Sequence, residues 1–196
     1  CSIARACNRT RNNYFIIHFI LIIILYYNEK SLKKVYIYIN FMSIFLKTGR
    51  VKSEWTDYNS HMNLAYYVHL FDTAWETMLQ RFHMGEDSAK SEKKTTFAVE
   101  SHTTYDKEVK VGEEVDMNIT FLDRDKKRIV YKLEMIHKEK NYLAATTEVL
   151  SVYVDLGIRK VVEFEENKAL LMDDFIESNK NKFHPGELKL IDKLKK

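Results

Sequence analysis

A short polar stretch contains side chains that could act together on a carbonyl group. It runs from Trp55 to Tyr67 and reads Trp-Thr-Asp-Tyr-Asn-Ser-His-Met-Asn-Leu-Ala-Tyr-Tyr. Asp57 could serve as a base or a nucleophile, and Asn63 is a good N-cap for a helix. The free N–H groups at a helix start carry partial positive charge and could stabilise an oxyanion. The stretch therefore predicts an acyl-transfer site, with an ordinary turn at Asp57 and a simple cap at Asn63 as the structural alternative.

Two further groups of polar residues could support such a site. Glu100 and His102 share one face of a predicted strand and could orient a water or a polar group of a substrate. The basic turn Lys126–Arg128 could hold phosphates. The structural alternative for Glu100 and His102 is an ordinary surface pair. The alternative for the basic turn is a solvated hairpin tip.

Several other chemistries are not expected. The histidines His61, His69 and His102 do not form, with Asp57, the paired spacing on one helix face that is typical of zinc sites, so we predict no metal. The sequence has no Gly-x-Ser-x-Gly elbow, P-loop or dinucleotide fingerprint, and we expect no cofactor. Its two cysteines, Cys1 and Cys7, leave the rest of the chain without a thiol.

The first 41 of the 196 residues differ in composition from the rest. They contain six basic side chains and one acidic side chain, so the formal net charge of +3 originates there. The main body is slightly acidic, and we expect no nucleic-acid partner. We interpret residues 1–41 as an extension upstream of a start at Met42. A signal anchor or short membrane segment is the rival, although the apolar run Tyr14–Tyr27 would reach only about 21 Å of a ~30 Å hydrocarbon core.

Hydrophobic periodicity in residues 42–165 predicts one α+β domain. Apolar residues at i, i+3 and i+4 predict a helix from Leu64 to about Phe82, and Gly85 follows it. A polar loop is expected over 84–95. Strands are expected over 43–55, 97–105, 114–122, 128–137 and 142–154, the last four joined as antiparallel hairpins. Residues 166–196 are expected to form a second helix and a solvated basic tail.

The motif Asp57-x-x-x-His61-Met-Asn63-x-Ala-x-Tyr67 resembles the hotdog-fold acyl-CoA thioesterases of the hydroxybenzoyl-CoA thioesterase branch. Further blocks are similar to the betainyl-CoA thioesterases associated with carnitine degradation: Glu100–Tyr105, Phe121–Arg128 and Leu143–Glu148. The resemblance covers roughly residues 45–165 in unbroken order. Ser60 stands where the family usually has Gly, and residues 1–41 match nothing in it.

The resemblance implies an antiparallel sheet of about five strands wrapped around the Leu64–Phe82 helix. It also implies a cytoplasmic thioester hydrolase acting on acyl-CoA, assembled as a dimer or tetramer with sites built from two chains. Asp57 becomes the catalytic carboxylate, and the N–H of Asn63 or Leu64 the oxyanion donor. His61 and Asn63 would shape the turn and the acyl pocket.

Substrate contacts follow from the same resemblance. A betaine head would use aromatic faces, although an aliphatic acyl group would also suit them. Glu100 and His102 would position water or substrate, and Lys126, Lys127 and Arg128 would hold the CoA phosphates. The aromatic candidates are Trp55, Tyr58, Tyr66, Tyr67, Phe97 and Tyr105.

Three rival functions stay open at this point. The first is a hotdog module that binds acyl-CoA without cleaving it. The second is a membrane-anchored thioesterase. The third is a hotdog dehydratase, which would need a His–carboxylate pair on a differently spaced helix that the sequence does not show.

Overall fold

The computed structural model describes residues 43–195, so the expectations for residues 1–41 and for a start at Met42 lie outside the described residues. Within that range, the strands are β1 (Ile44–Arg50), β2 (Lys94–Tyr105), β3 (Glu114–Arg124), β4 (Arg128–His137), β5 (Leu143–Asp155) and β6 (Lys160–Val161). The α-helices are α1 (Leu64–Arg81), α2 (Glu86–Ser91) and α3 (Glu166–Asn179). None of these helices is both long and apolar enough to cross a bilayer.

The strands form one antiparallel sheet in the order β1-β3-β4-β5-β2, with β6 added to β5. This confirms the α+β class and the antiparallel sheet. The prediction of three successive hairpins is wrong at the first of them, because β2 pairs with β5 and not with β3. β1 pairs with the outer side of β3, so the connection 106–113 runs from the edge strand β2 to β3, next to the opposite edge of the sheet.

Helix α1 fills the concave side of the sheet. Its buried stripe is the one that the i, i+3, i+4 pattern predicts, and it packs against alternate residues of β3 and β4. Trp75 of α1 stacks on Tyr131 of β4, with ring centroids 3.6 Å apart. The helix lies so close to β1 that a Cβ added to Gly49 would come 2.6 Å from a methyl carbon of Leu70.

The predicted polar loop over 84–95 is also wrong, because it contains helix α2. Acidic residues lie in the first turn of this helix and Lys90 lies in the last, as the helix dipole favours. Glu86 pairs with Lys90 at i, i+4. Six residues are too few to show a helical period, which explains why the sequence pattern misses it.

The C-terminal tail is not a solvated end. It crosses the outer face of the sheet, where Leu190 is buried against Val130 and Leu150. The buried carboxylate of Glu148 accepts the backbone N–H groups of Lys189 and Leu190, each at 2.8 Å. The tail therefore covers part of the outer face.

Candidate active site

The Asp57 turn lies between a single turn of 3-10 helix, Ser53–Trp55, and the start of α1. Asp57 Oδ1 accepts the Asn59 N–H at 2.8 Å, and the Asp57 carbonyl accepts the Ser60 N–H at 3.0 Å. Ser60 has a φ of 65°, in the left-handed region that favours glycine. The Asp57 side chain is 23% exposed.

Backbone hydrogen bonds hold this turn against its neighbours. The Asn63 N–H donates to the Trp55 carbonyl at 2.9 Å, and the Met62 N–H donates to the Val109 carbonyl at 2.8 Å. The Tyr67 hydroxyl accepts the Val109 N–H at 3.2 Å, and burial raises the pKa of this phenol. The turn is thus closed by hydrogen bonds on two sides.

The head of α1 presents one unpaired donor. Asn63 Oδ1 accepts the Ala65 N–H at 3.0 Å, which confirms the predicted N-cap. The Asn63 N–H is already bonded to Trp55, and the Tyr66 N–H donates to the Asn63 carbonyl. Among the described residues, no group accepts the Leu64 N–H. Of the two predicted oxyanion donors, Leu64 is therefore the one with a free N–H.

Asp57, Asn63 and Leu64 line a cleft of about 320 Å³. The rings of Tyr67 and Tyr105 form one wall, edge to face with centroids 5.2 Å apart. His61 Nδ1 lies 4.0 Å from Asp57 Oδ1. The residues lining the cleft are Asp57, His61, Met62, Asn63, Leu64, Tyr67, Tyr105, Asp106, Lys107 and Glu108.

Most of the other predicted aromatic contacts lie outside this cleft. Trp55 and Tyr66 stack on each other with centroids 5.3 Å apart, and His69 packs edge-on against both. Tyr58 is 95% exposed, and Phe97 lies on β2 near Arg159. Within one chain, only Tyr67 and Tyr105 of the predicted aromatic set reach the cleft.

Glu100 and His102 lie on β2 and do not line the cleft. His102 Nε2 is 3.6 Å from Glu100 Oε1. The other carboxylate oxygen pairs at 3.0 Å with Lys193 from the C-terminal tail, and this bond lowers the pKa of Glu100. Within one chain, Glu100 of this Glu100–His102 pair is therefore already bound by the C-terminal tail.

The basic turn Lys126–Arg128 joins β3 to β4. Lys126 lines a separate cavity of about 530 Å³ between this turn, α3 and the end of the tail. Lys127 approaches Glu163 at 4.0 Å, and Arg128 pairs with Asp125 at 2.7 Å. Lys126 is thus the member of the turn with an exposed side chain and no ion pair among the described residues.

Sequence reasoning missed the cleft wall formed by Asp106, Lys107 and Glu108. The available signal was a run of three charged residues directly after a predicted strand. Over residues 43–195 no three His, Cys, Asp or Glu side chains gather as a metal site would require.

Comparison with known families decides the assignment. The model of the thioesterase-like superfamily matches residues 51–172, which is more than half of the chain. The chain belongs to this superfamily. The match contains the Asp57 turn, α1 and the whole cleft wall, so the expectation of a hotdog thioester hydrolase is confirmed.

Curated relatives of this thioesterase extend the likeness. A betainyl-CoA thioesterase of Pseudomonas aeruginosa is 25% identical over 115 residues, covering 59% of this chain and 72% of its own length. An L-carnitine dehydrogenase/betainyl-CoA thioesterase of Rhizobium meliloti is 29% identical over 114 residues, covering 58% of this chain but 23% of that longer protein.

Solved structures show the same fold. A Staphylococcus aureus protein in complex with CoA aligns with a TM-score of 0.66 and 24% identity, covering 75% of this thioesterase and 91% of that chain. A 1,4-dihydroxy-2-naphthoyl-CoA thioesterase of Synechocystis aligns with a TM-score of 0.60 and 16% identity, covering 67% and 96%.

Proposed function

We propose that this thioesterase hydrolyses acyl-CoA at the cleft beside the head of α1. Asp57 is the catalytic carboxylate, and the Leu64 N–H stabilises the oxyanion. The observation that carries the proposal is that Asp57, with its partly exposed carboxylate, and Leu64, with its unpaired N–H, line the same 320 Å³ cleft. A base or nucleophile and an oxyanion donor are the two groups that thioester hydrolysis needs.

The chemistry follows from those two groups. The thioester carbonyl oxygen takes up negative charge and is stabilised by the Leu64 N–H together with the helix dipole. Asp57 either removes a proton from the attacking water or attacks the carbonyl carbon to give a mixed anhydride that water then opens. In both routes the carbon–sulfur bond breaks, the CoA thiolate leaves, and water supplies the new carboxylic acid oxygen.

We propose a short acyl group with a cationic head, of which betainyl is the example. Tyr67 and Tyr105, whose rings are in contact, line the cleft together with the acidic residues Asp106 and Glu108. A quaternary ammonium over such rings gains about 0.5–2 kcal/mol by cation–π attraction. The Nζ of Lys107 lies 5.2 Å from the Tyr142 ring centroid, outside the Tyr67–Tyr105 pair. The activity of the Pseudomonas aeruginosa relative supports the same substrate class.

The remaining predicted residues fit a site completed by a second copy. β2 is a twelve-residue edge strand that pairs only with β5 among the described strands, and its Val99 is 56% exposed. Such an edge is suited to pairing with another strand. We propose that two copies associate along β2, which would bring Trp55, Tyr58, Tyr66, Glu100 or His102 of one copy towards the other. The CoA phosphates would be held by the Lys126–Arg128 turn, chiefly by Lys126.

Thiol release from a panel of acyl-CoA substrates tests this proposal. Betainyl-CoA and its neutral isostere, tert-butylacetyl-CoA, form the decisive pair because they differ only in charge. We expect release from acyl-CoA in general, with kcat/KM for betainyl-CoA about tenfold above that of the isostere, as ~1.4 kcal/mol of cation–π attraction would give.

Two outcomes would count against the proposal. Binding of every acyl-CoA without thiol release would instead indicate a non-catalytic binding module. Equal kcat/KM for the charged and neutral pair would refute the cationic substrate class while leaving the hydrolase intact.

A further inference from the structure

The connection 106–113, here called the clamp segment, holds the Asp57 turn in place. Its Val109 carbonyl accepts the Met62 N–H at 2.8 Å, and its Val109 N–H donates to the Tyr67 hydroxyl at 3.2 Å. Lys110 forms an antiparallel bridge with His61. The first part of the segment also lines the cleft, so its position sets both the Asp57 turn and one wall of the site.

The side chain of Glu113 closes a turn at the far end of the clamp segment, which backbone hydrogen bonds of Gly112 and Glu113 with Val51 also hold. The Oε2 of Glu113 accepts the Lys110 N–H at 2.8 Å, and its own N–H donates to the Lys110 carbonyl at 3.1 Å, which closes a tight turn. Its Oε1 pairs with the ammonium of Lys140 in the β4–β5 turn. Glu113 therefore links the clamp segment to a different part of the sheet.

The buried ring of His137 completes this link. Its side chain is 1% exposed, and its Nδ1 accepts the Lys140 N–H at 3.2 Å. Because Nδ1 is an acceptor, the ring proton lies on Nε2, which is 3.3 Å from Glu113 Oε2. Within residues 43–195 this nitrogen forms no hydrogen bond, so its contact with Glu113 is electrostatic. His137 thus directs its polar edge at the carboxylate that closes the clamp turn.

The other end of the clamp segment has separate anchors. The Ala144 carbonyl accepts the N–H groups of Asp106 and Lys107 at 2.8 and 3.1 Å. The Tyr142 hydroxyl donates to the Glu108 carbonyl at 2.8 Å. Loss of Glu113 would therefore loosen the half that contacts His61 and Met62, without releasing the whole segment.

We propose that Glu113 is a positioning residue for the hydrolysis, acting on Asp57 through Lys110, Val109 and the His61–Met62 backbone. The inference rests on the proposed function of the cleft. Small displacements of a catalytic group are costly, since a misplacement of ~1 Å can lower a rate about a hundredfold. The Glu113 carboxylate, which lies outside the cleft, thus sets the position of the Asp57 carboxylate.

The test compares Glu113→Gln with Glu114→Gln. Both changes remove one carboxylate charge, but Glu114 pairs with the exposed Lys138 and makes no contact with the clamp turn through its side chain. We expect Glu113→Gln to lower kcat about tenfold with a KM change under about threefold, because the displaced group acts in the transition state. Glu114→Gln is expected to keep both constants.

Hydrogen exchange supplies a readout that is independent of activity. In Glu113→Gln the amides of Met62 and Val109 should exchange at least about tenfold faster, while those of the β4 core stay protected. If Glu113→Gln does not fold, Lys140→Ala removes one partner of the same carboxylate and should give the same changes at smaller amplitude.

Unchanged exchange at Met62 and Val109, unchanged kcat, or an equal loss of kcat in Glu114→Gln would each overturn the positioning role. A wild-type protein that releases no thiol from any acyl-CoA would instead refute the proposed function, and the exchange comparison would still decide whether Glu113 holds the turn.

Discussion

Two aspartates at the head of comparable turns, Asp57 and Asp125, have very different surroundings. Asp57 accepts one short hydrogen bond, from the Asn59 N–H, and its second oxygen has only a 3.5 Å contact with the Asn59 amide. Asp125 accepts the N–H groups of Lys127, Arg128 and Lys195 and the Arg128 guanidinium, all at 2.7–2.8 Å. The Asp57 side chain is 23% exposed and that of Asp125 is 3% exposed.

This difference indicates that the Asp125 carboxylate stabilises the fold, whereas the Asp57 carboxylate is available for the proposed chemistry. Burial raises the pKa of Asp125, but the hydrogen bonds it accepts outweigh burial and lower the pKa overall. Asp125 lines the larger cavity, where Arg124 is also paired, with Asp173. Asp57 and Leu64 line the smaller one. Unsatisfied polar groups, and not cavity size, therefore support placing the proposed site in the smaller cleft.

Among the substitutions that test this comparison, the largest effect on activity is expected at Leu64. Leu64→Pro removes the N–H proposed to bind the oxyanion, while proline is favoured at the first position of a helix. The preceding Asn63 has a ψ of 144°, which suits a residue before proline. We expect kcat to fall about 10²–10³-fold, equivalent to ~2.7–4 kcal/mol of barrier, with the helical circular dichroism signal retained.

Leu64→Ala is the matched control for that prediction, because it shortens the same side chain but keeps the N–H. Its kcat should stay close to that of the wild type. Equal losses in the two variants would assign the effect to the side chain and remove Leu64 as the oxyanion donor.

The next largest effect concerns stability and lies at Asp125. Asp125→Asn removes the charge that three backbone N–H groups and Arg128 share, in a nearly inaccessible position. We expect the free energy of unfolding to fall by about 3 kcal/mol, measured by urea denaturation. kcat per folded molecule should not change, whereas KM should rise because Asp125 holds the Lys126–Arg128 turn proposed to bind the CoA phosphates. A selective loss of kcat would contradict the division between the two aspartates.

A third carboxylate, Glu113, predicts a pH dependence of stability. Burial raises its pKa, yet Lys140, the Lys110 N–H and His137 lower it from the ordinary 4.5 to about 2. Because the folded pKa is depressed, the stabilisation is complete above pH 4.5 and disappears as the pH falls through about 2. Wild type should exceed Glu113→Gln in stability by about 1–2 kcal/mol at neutral pH, and this gap should close in acid. A gap independent of pH would contradict the assignment.

The smallest effect is expected at Ser60, inside the Asp57 turn. Ser60→Gly relieves a left-handed backbone with φ of 65° that costs a non-glycine residue about 1–2 kcal/mol. Glycine also loses about 0.5–1 kcal/mol more conformational freedom on folding, so the net gain should be near 0.5 kcal/mol. Thermal denaturation measures it. A destabilised Ser60→Gly variant would show that the serine side chain supports the turn.

The sequence predicted the parts of this fold that depend on local patterns. The stripe of α1, the Asn63 cap and the β3–β4–β5 meander follow from periodicity and short turns. The pairing of β2 with β5 could not be predicted in this way, because pairing between strands distant in sequence leaves no local signal. Helix α2 was too short to show a period.

The same distinction applies to the site. Asp57, His61, Asn63, Leu64 and Tyr67 lie within eleven residues of one another, and the structure brings them to one cleft. The wall over 106–108 was missed because its contact with the Asp57 turn is made by backbone groups of Val109 and Lys110, which side-chain types do not reveal. The tail was missed because its apolar residues lie among lysines in a weak pattern, and the carboxylate that holds Leu190 belongs to Glu148, 42 positions earlier in the sequence.

The central claim, that Asp57 carries the hydrolysis, is tested most directly by thiol release from acyl-CoA with Asp57→Asn. Asparagine keeps the size of the side chain and an oxygen able to accept the Asn59 N–H, so the turn should persist. The account predicts that kcat/KM falls about 10²–10⁴-fold while acyl-CoA still binds and the melting temperature is unchanged. Thiol release at the wild-type rate by folded Asp57→Asn would contradict it.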